Sequence, residues 1–167
     1  MNNTARNSAR PNDRRGRFQR VPIRSRIGLA LRPGMNYGEL PDAEQVLAAA
    51  GLSLAPMSCG ATDTINGMTV LPTADVGDLE RRSVSALVLP AGGPDGAGDA
   101  TLDKLIVTAR EQGLPVIAFG DGVDRAARAL GVEAPQFDGA LAAVIGGGEM
   151  TPVASREQLA LVASTIG

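Results

Sequence analysis

The sequence predicts a doubly wound α/β domain, a mainly parallel sheet flanked by helices, with a small β-hairpin excursion. Three observations carry this. Short apolar runs alternate with helix-patterned segments from residue 26 onward, the order that yields parallel strands joined by right-handed crossovers. Hydrophobic residues make up 44% of the chain and aromatics only 2%, so the core must be built from Ala, Val, Leu and Ile on closely packed backbone. Glycine-bearing loops follow three of the apolar runs, at Pro33-Gly34, Ala91-Gly92-Gly93 and Gly120-Asp121-Gly122, where a sheet of this kind gathers its ligand loops.

Residues 1–25, MNNTARNSARPNDRRGRFQRVPIRS, lack both helical and strand periodicity over most of their length and are expected to form a disordered arm; residues 26–167 are the folded domain. RIGLAL is the first strand and RPGMNYGEL a turn-rich loop. PDAEQVLAAAG is a helix with Asp42 and Glu44 in its first turn, where acids favour the dipole, and Gly51 as its stop. LSLAPMS is the second strand. In TDTINGMTVLPTAD the pair Asn66-Gly67 between β-type runs is a strong hairpin signal, placed as an excursion from the main sheet.

VGDLERR is a short helix, and SALVLP is a continuous apolar strand of the kind buried on both faces. The helix TLDKLIVTAREQG follows, with Asp99 or Thr101 as its cap. Next come the strand PVIAFG, the helix VDRAARALG and a last strand in ALAAVIGGG with a glycine-rich exit. SREQLALVASTI closes the fold, capped by Ser155 with Glu157 or Gln158 in support.

The chain of 167 residues suits one domain. No run approaches the roughly 20 apolar residues that cross a bilayer, so a soluble, cytoplasmic protein without a membrane partner is expected. Cys59 is the only cysteine, which excludes an internal disulfide and a multi-cysteine metal site; a small apolar filler is the expected role. Histidine is absent, which removes Ser-His-Asp and Cys-His catalysis and every histidine-based metal motif. The single lysine, Lys104, is a poor Schiff-base candidate in a helix that reads as exposed. No metal site and no cofactor are called for.

The net charge of −2 conceals a division: residues 1–26 carry +7 and the remainder −9. Arg14, Arg15, Arg17 and Arg20 form the densest part of the basic arm. They can bind phosphates by charge alone, which keeps nucleic acid open as a partner. The acidic body and a single arm aromatic, Phe18, favour a protein partner instead.

SALVLPAGG, then a helix, then GLPVIAFGDGVDRAARALG resembles the ThiJ/PfpI family of the class I glutamine amidotransferase-like superfamily, where a Leu-Pro-Gly-Gly strand end precedes an Ala-x-Cys-x-Gly elbow. RIGLALRPGMNYGELPDAEQVLAAAGLSLAPMS and MTVLPTAD are similar to the family's opening segments, so the resemblance spans residues 26 to about 133. It implies a flavodoxin-like sheet and a homodimer. It places Glu39 at the family's loop glutamate, and Gly92 and Gly93 near the backbone donors of its oxyanion hole. Ala118, Gly120 and Gly122 fall at the elbow, with Gly120 in the place of the nucleophilic cysteine and Asp121 following it. The strand end, Pro-Ala-Gly-Gly, has one residue more than the family's Pro-Gly-Gly.

The resemblance therefore implies a domain without the family's thiol chemistry, acting as a small-ligand-binding or protein-interaction module. Its ligand residues would be Glu39, Gly92, Gly93, Gly120, Asp121 and Gly122. An alternative is an enzyme in which Glu39 and Asp121 share the vacated space, as acid and base or around a hard cation, acting on a small carbonyl or amide. The plainer expectation is that Asp121 caps the helix beginning near Val123 and Glu39 bonds loop backbone. A dinucleotide loop is disfavoured, because Arg125 stands where the third glycine would be and Asp121 and Asp124 are negative.

Overall fold

Continuous apolar runs settle at the centre of a six-stranded sheet. The computed structural model describes residues 22–31, 40–58, 64–65, 68–91, 99–133, 141–146 and 149–166. Its strands are β1 (Ser25–Leu31), β2 (Leu52–Ser58), β3 (Thr64–Ile65), β4 (Met68–Thr69), β5 (Leu87–Leu89), β6 (Val116–Phe119), β7 (Ala142–Gly146) and β8 (Glu149–Val153). The described helices are α1 (Leu40–Ala49), α2 (Val76–Glu80), α3 (Asp99–Glu111), α4 (Gly122–Leu130) and α5 (Arg156–Thr165). The main sheet runs β2-β1-β5-β6-β7-β8, and β3 and β4 pair separately as the expected hairpin excursion.

The pairs β1–β2, β1–β5 and β5–β6 are parallel, whereas β6–β7 and β7–β8 are antiparallel. The doubly wound expectation holds for β2, β1, β5 and β6, and the sheet as a whole is mixed. β8 is a strand that the sequence did not predict, since Glu149–Val153 falls between the glycine-rich exit and the closing helix with no element assigned to it. Four of its five residues are at least partly exposed and one is Pro152, so neither apolar alternation nor β-propensity marks it. Edge strands tolerate such sequences, and both edges carry a proline, Pro56 in β2 and Pro152 in β8.

Side chains of β1 alternate between two apolar clusters. Ile27, Leu29 and Leu31 join Ala43 and Leu47 of α1 and Leu159 and Ala163 of α5 on one face. Ala30 faces the other cluster, with Leu79 of α2, Leu102, Leu105 and Ile106 of α3, and Val123 and Ala126 of α4. The helices therefore cover both faces of the sheet. Gly28 serves the close packing that an aromatic-poor core needs: a Cβ there would lie 2.2 Å from the buried Met57 Sδ, which crosses β1 in the space a side chain would fill.

Helix ends are held by local polar contacts. Asp75 and Asp78 form a reciprocal capping box on α2, through Asp78 N–H to Asp75 Oδ1 at 3.3 Å and Asp75 N–H to Asp78 Oδ2 at 2.9 Å. The same helix ends with Arg82 in the left-handed region, φ 59°, where Ser83 N–H donates to Asp78 O (2.9 Å) and Arg82 N–H to Leu79 O (3.1 Å). Gly51 ends α1 with φ 84°, as expected. Ser155 caps α5 by accepting from Gln158 N–H at 3.2 Å, and Gln158 Oε1 accepts from Ala154 N–H at 2.6 Å. Thr101 falls inside α3, which begins at Asp99, so it does not cap that helix.

Arg24 and Ser25, counted with the arm in the sequence reading, engage the fold. Ser25 opens β1, and its hydroxyl bonds that of Ser85. Arg24 lies against two helix ends: Nε donates to Ala50 O at 2.6 Å, just past α1, while Nη2 donates to Ala163 O at 2.7 Å and Nη1 to Ile166 O, both at the end of α5. No helix among the described residues is long and apolar enough to cross a membrane.

Truncating Arg24 to Ala removes three charge-assisted bonds at a partly solvated site. The expected loss is about 2 kcal/mol, a fall in Tm of about 4–8 °C, with Arg24→Lys restoring less than half of it; thermal and urea unfolding read this directly. Asp78 predicts a pH effect. The Ser83 hydroxyl, at 2.7 Å, and the Asp75 N–H hold its carboxyl below the usual range, with Arg81 adding to the shift. Because the folded-state value is depressed, the stabilisation is full at neutral pH and disappears as pH falls through that lowered value. The wild type should exceed Asp78→Asn by about 1 kcal/mol at neutral pH, with the gap closing only below about pH 4.

Candidate functional site at the carboxyl edge of the sheet

In the parallel half of the sheet the chain runs outward from β1 to β2, then returns to β5 beside β1 and continues to β6. The reversal between β1 and β5 is the point at which an open α/β sheet leaves a crevice at its carboxyl edge. The ends of β1, β5 and β6 stand side by side there, with Leu89 of β5 in register with Ala118 of β6. Residues 32–39 and 92–98 lie outside the described residues, and with them Glu39, Gly92 and Gly93. Arg14, Arg15, Arg17, Arg20 and Cys59 lie outside them as well. Of the six expected ligand residues, the structure describes Gly120, Asp121 and Gly122.

These three form a tight strand-to-helix corner between Phe119 and α4. Gly120 is left-handed, with φ 53°, a conformation that side-chain-bearing residues rarely adopt. Its carbonyl accepts from Val123 N–H at 3.2 Å, so the chain turns straight into the first turn of α4. A Cβ on Gly120 would lie 2.7 Å from the Cβ of Ala91, closer than real Cβ contacts come. At Gly122 a Cβ would meet the carbonyls of Leu89 and Pro90 at 3.0 and 3.1 Å, so the corner is pressed against the end of β5 at two points. That the Ala91 methyl reaches across to this corner was not legible in Pro-Ala-Gly-Gly.

Asp121 departs from the plainer expectation. It occupies the N-cap position of α4 with helical backbone angles, φ −69° and ψ −10°, and makes no side-chain cap hydrogen bond. An N-cap side chain reaches back to the helix N–H groups from an extended backbone, which Asp121 does not have. Its own carbonyl accepts from Arg125 N–H at 3.1 Å.

Arg125, which replaces the third glycine of a dinucleotide loop, is 5% exposed. Its Nη2 meets Asp103 Oδ1 of α3 at 2.6 Å. It ties α4 to α3 behind the corner, where sequence reading had given it no partner. β2, the strand leading to Cys59, is three strand spacings from β6, about 14 Å, so its end is not at the elbow. Among the described residues no three of His, Cys, Asp and Glu are grouped to hold a metal ion.

No protein-family model matches the chain, and no curated protein sequence matches it. Solved structures do. A Bacteroides thetaiotaomicron protein provisionally named protease I superposes with a TM-score of 0.60 at 16% identity, over 86% of this chain and 99% of that one. A cysteine-to-alanine mutant of a DJ-1 superfamily protein from Salmonella typhimurium gives 0.57 at 16%, over 84% and 89%. An AraC family transcriptional regulator from Pseudomonas putida gives 0.59 at 14%, over 83% and 88%. At these identities the likeness is one of backbone architecture, and the chain has the fold of the ThiJ/PfpI and DJ-1 superfamily proteins.

Proposed function

We propose that the chain is a ThiJ/PfpI-like domain that works by binding, a small ligand or a protein partner, without the thiol chemistry of the family it resembles. One observation carries this reading. At the corner where the resemblance puts a nucleophile stands Gly120, left-handed at φ 53°, and the space for a side chain there is taken by the Ala91 methyl. The absence of histidine agrees, since no imidazole is available as base or acid. The architectural likeness to a transcriptional regulator supports a use of this fold in which recognition is the output. On this reading the chain pairs as a homodimer in the cytoplasm and the arginine arm docks a protein partner.

A second reading is acid–base or metal-assisted chemistry by Glu39 and Asp121 on a small carbonyl or amide, the two carboxylates that the resemblance places beside Gly120. Assays for hydrolase, deglycase and glyoxalase-type turnover distinguish the two. The wild type should show none. Turnover that vanishes in Glu39→Gln and in Asp121→Asn would establish the second reading and overturn the first.

The corner itself makes a separate prediction, best measured in a Cys59→Ala background. Gly120→Cys should give a thiol that alkylates no faster than a free cysteine, because its Cβ must push Ala91 aside. Rapid alkylation near pH 6 by Gly120→Cys alone would contradict the reading. Gly120→Ala should cost about 2 kcal/mol from the left-handed backbone and the Ala91 contact together, and Ala91→Gly should recover about half, an interaction that a double-mutant cycle isolates.

A further inference from the structure

The opposite edge of the sheet holds an open groove of about 320 Å³ whose walls differ from the corner's in charge. Its floor is apolar, from Leu114, Pro115 and Ile166, while Arg82, Ser85 and Thr165 supply the polar rim, and no Asp or Glu lines it among the described residues. The negative ends of the neighbouring helices are already neutralised: Ala163 O and Ile166 O accept from Arg24, and Gln112 O accepts from Arg82 Nη2 at 2.7 Å. That bond uses one of the two N–H groups of Nη2. Among the described residues the guanidinium makes no other hydrogen bond, and Arg82 is one of the groove's lining residues.

We propose that this groove binds a small organic carboxylate carrying a short apolar body, with Arg82 as the carboxylate-binding residue and Leu114, Pro115 and Ile166 as the apolar floor. The planar fork suits a carboxylate, which accepts two parallel N–H groups. The hydroxyls narrow the choice. Thr165 Oγ1 donates to Val162 O at 2.7 Å and the Ser85 hydroxyl is shared with Ser25, so both are engaged and neither replaces the arginine as the charged anchor. A volume near the low end of ligand-site sizes selects a small molecule over a peptide. The groove lies across the sheet from the Gly120 corner and stands whichever way the function proposed there is resolved.

The test is a titration of the full chain with butanoate, followed by the methyl NMR signals of Leu114 and Ile166. Saturable shifts at these methyls are expected, in the millimolar range that an open groove allows. Arg82→Gly is the informative variant, because Arg82 sits at φ 59° and glycine favours that conformation, so the fold is kept while the guanidinium is removed. Its affinity should fall at least about tenfold, and Arg82→Lys, which keeps charge without the fork, should fall between the two. Absent shifts, or shifts equal in Arg82→Gly and wild type, would overturn the proposal. Inorganic phosphate competing as well as butanoate would overturn it too, by showing a site that reads charge without the apolar body.

Discussion

Arginine guanidinium groups satisfy the carboxyl ends of the helices that the two apolar clusters hold against the sheet. A doubly wound fold aligns its helices so that their negative ends collect along one edge of the sheet, where orphan carbonyls would otherwise crowd together. Here Arg24 serves α1 and α5, Arg82 serves the carbonyl just past α3, and Arg110 donates to Leu130 O at the end of α4 at 3.1 Å. The complementary acids stand at the other ends, Asp78 in the first turn of α2, Asp124 in that of α4 and Glu157 in that of α5. With no histidine and one lysine in the chain, arginine carries almost all of this work. Its fork reaches more than one carbonyl at once, which is how a single residue at the root of β1 joins two helices.

The second constraint is the near-absence of aromatics. Phe119 is the one aromatic among the described residues, so volume must be filled by aliphatic side chains and by drawing backbones together. Gly28 beneath Met57 and Gly122 against Leu89 and Pro90 are two results of that pressure. Close approach of backbone at the carboxyl edge then leaves little slack around the elbow. A fold packed on larger side chains would hold its corners further apart.

What the sequence made legible follows from this division between local and distant causes. The buried strands stood out because SALVLP and PVIAFG are continuous apolar runs, and Asn66-Gly67 and Gly51 announced a hairpin and a helix stop through backbone preferences that need no partner. β8 was not legible, since an edge strand is defined by the neighbour it pairs with, and β7 gives no local sign that it runs antiparallel. Arg24 looked like one more arm arginine because its partners lie 26 to 142 residues away. Asp121 misled for the reverse reason: Asp before a helix is a good local cue for capping, but the left-handed turn at Gly120 sets the following residue in helical angles, where its side chain cannot reach back.

The Gly120 corner shows how a position without a side chain is kept packed. Removing a side chain at a strained corner would leave a cavity, and a cavity costs stability unless neighbours move in. Ala91 fills that space, bringing a methyl to where a Cβ at position 120 would stand, while glycine relieves the left-handed backbone of its steric cost. The two features support each other, since Ala91 fits only beside glycine and glycine is best tolerated with Ala91 in place. The corner is thereby closed by packing, with no room left for a side chain at position 120 unless Ala91 moves.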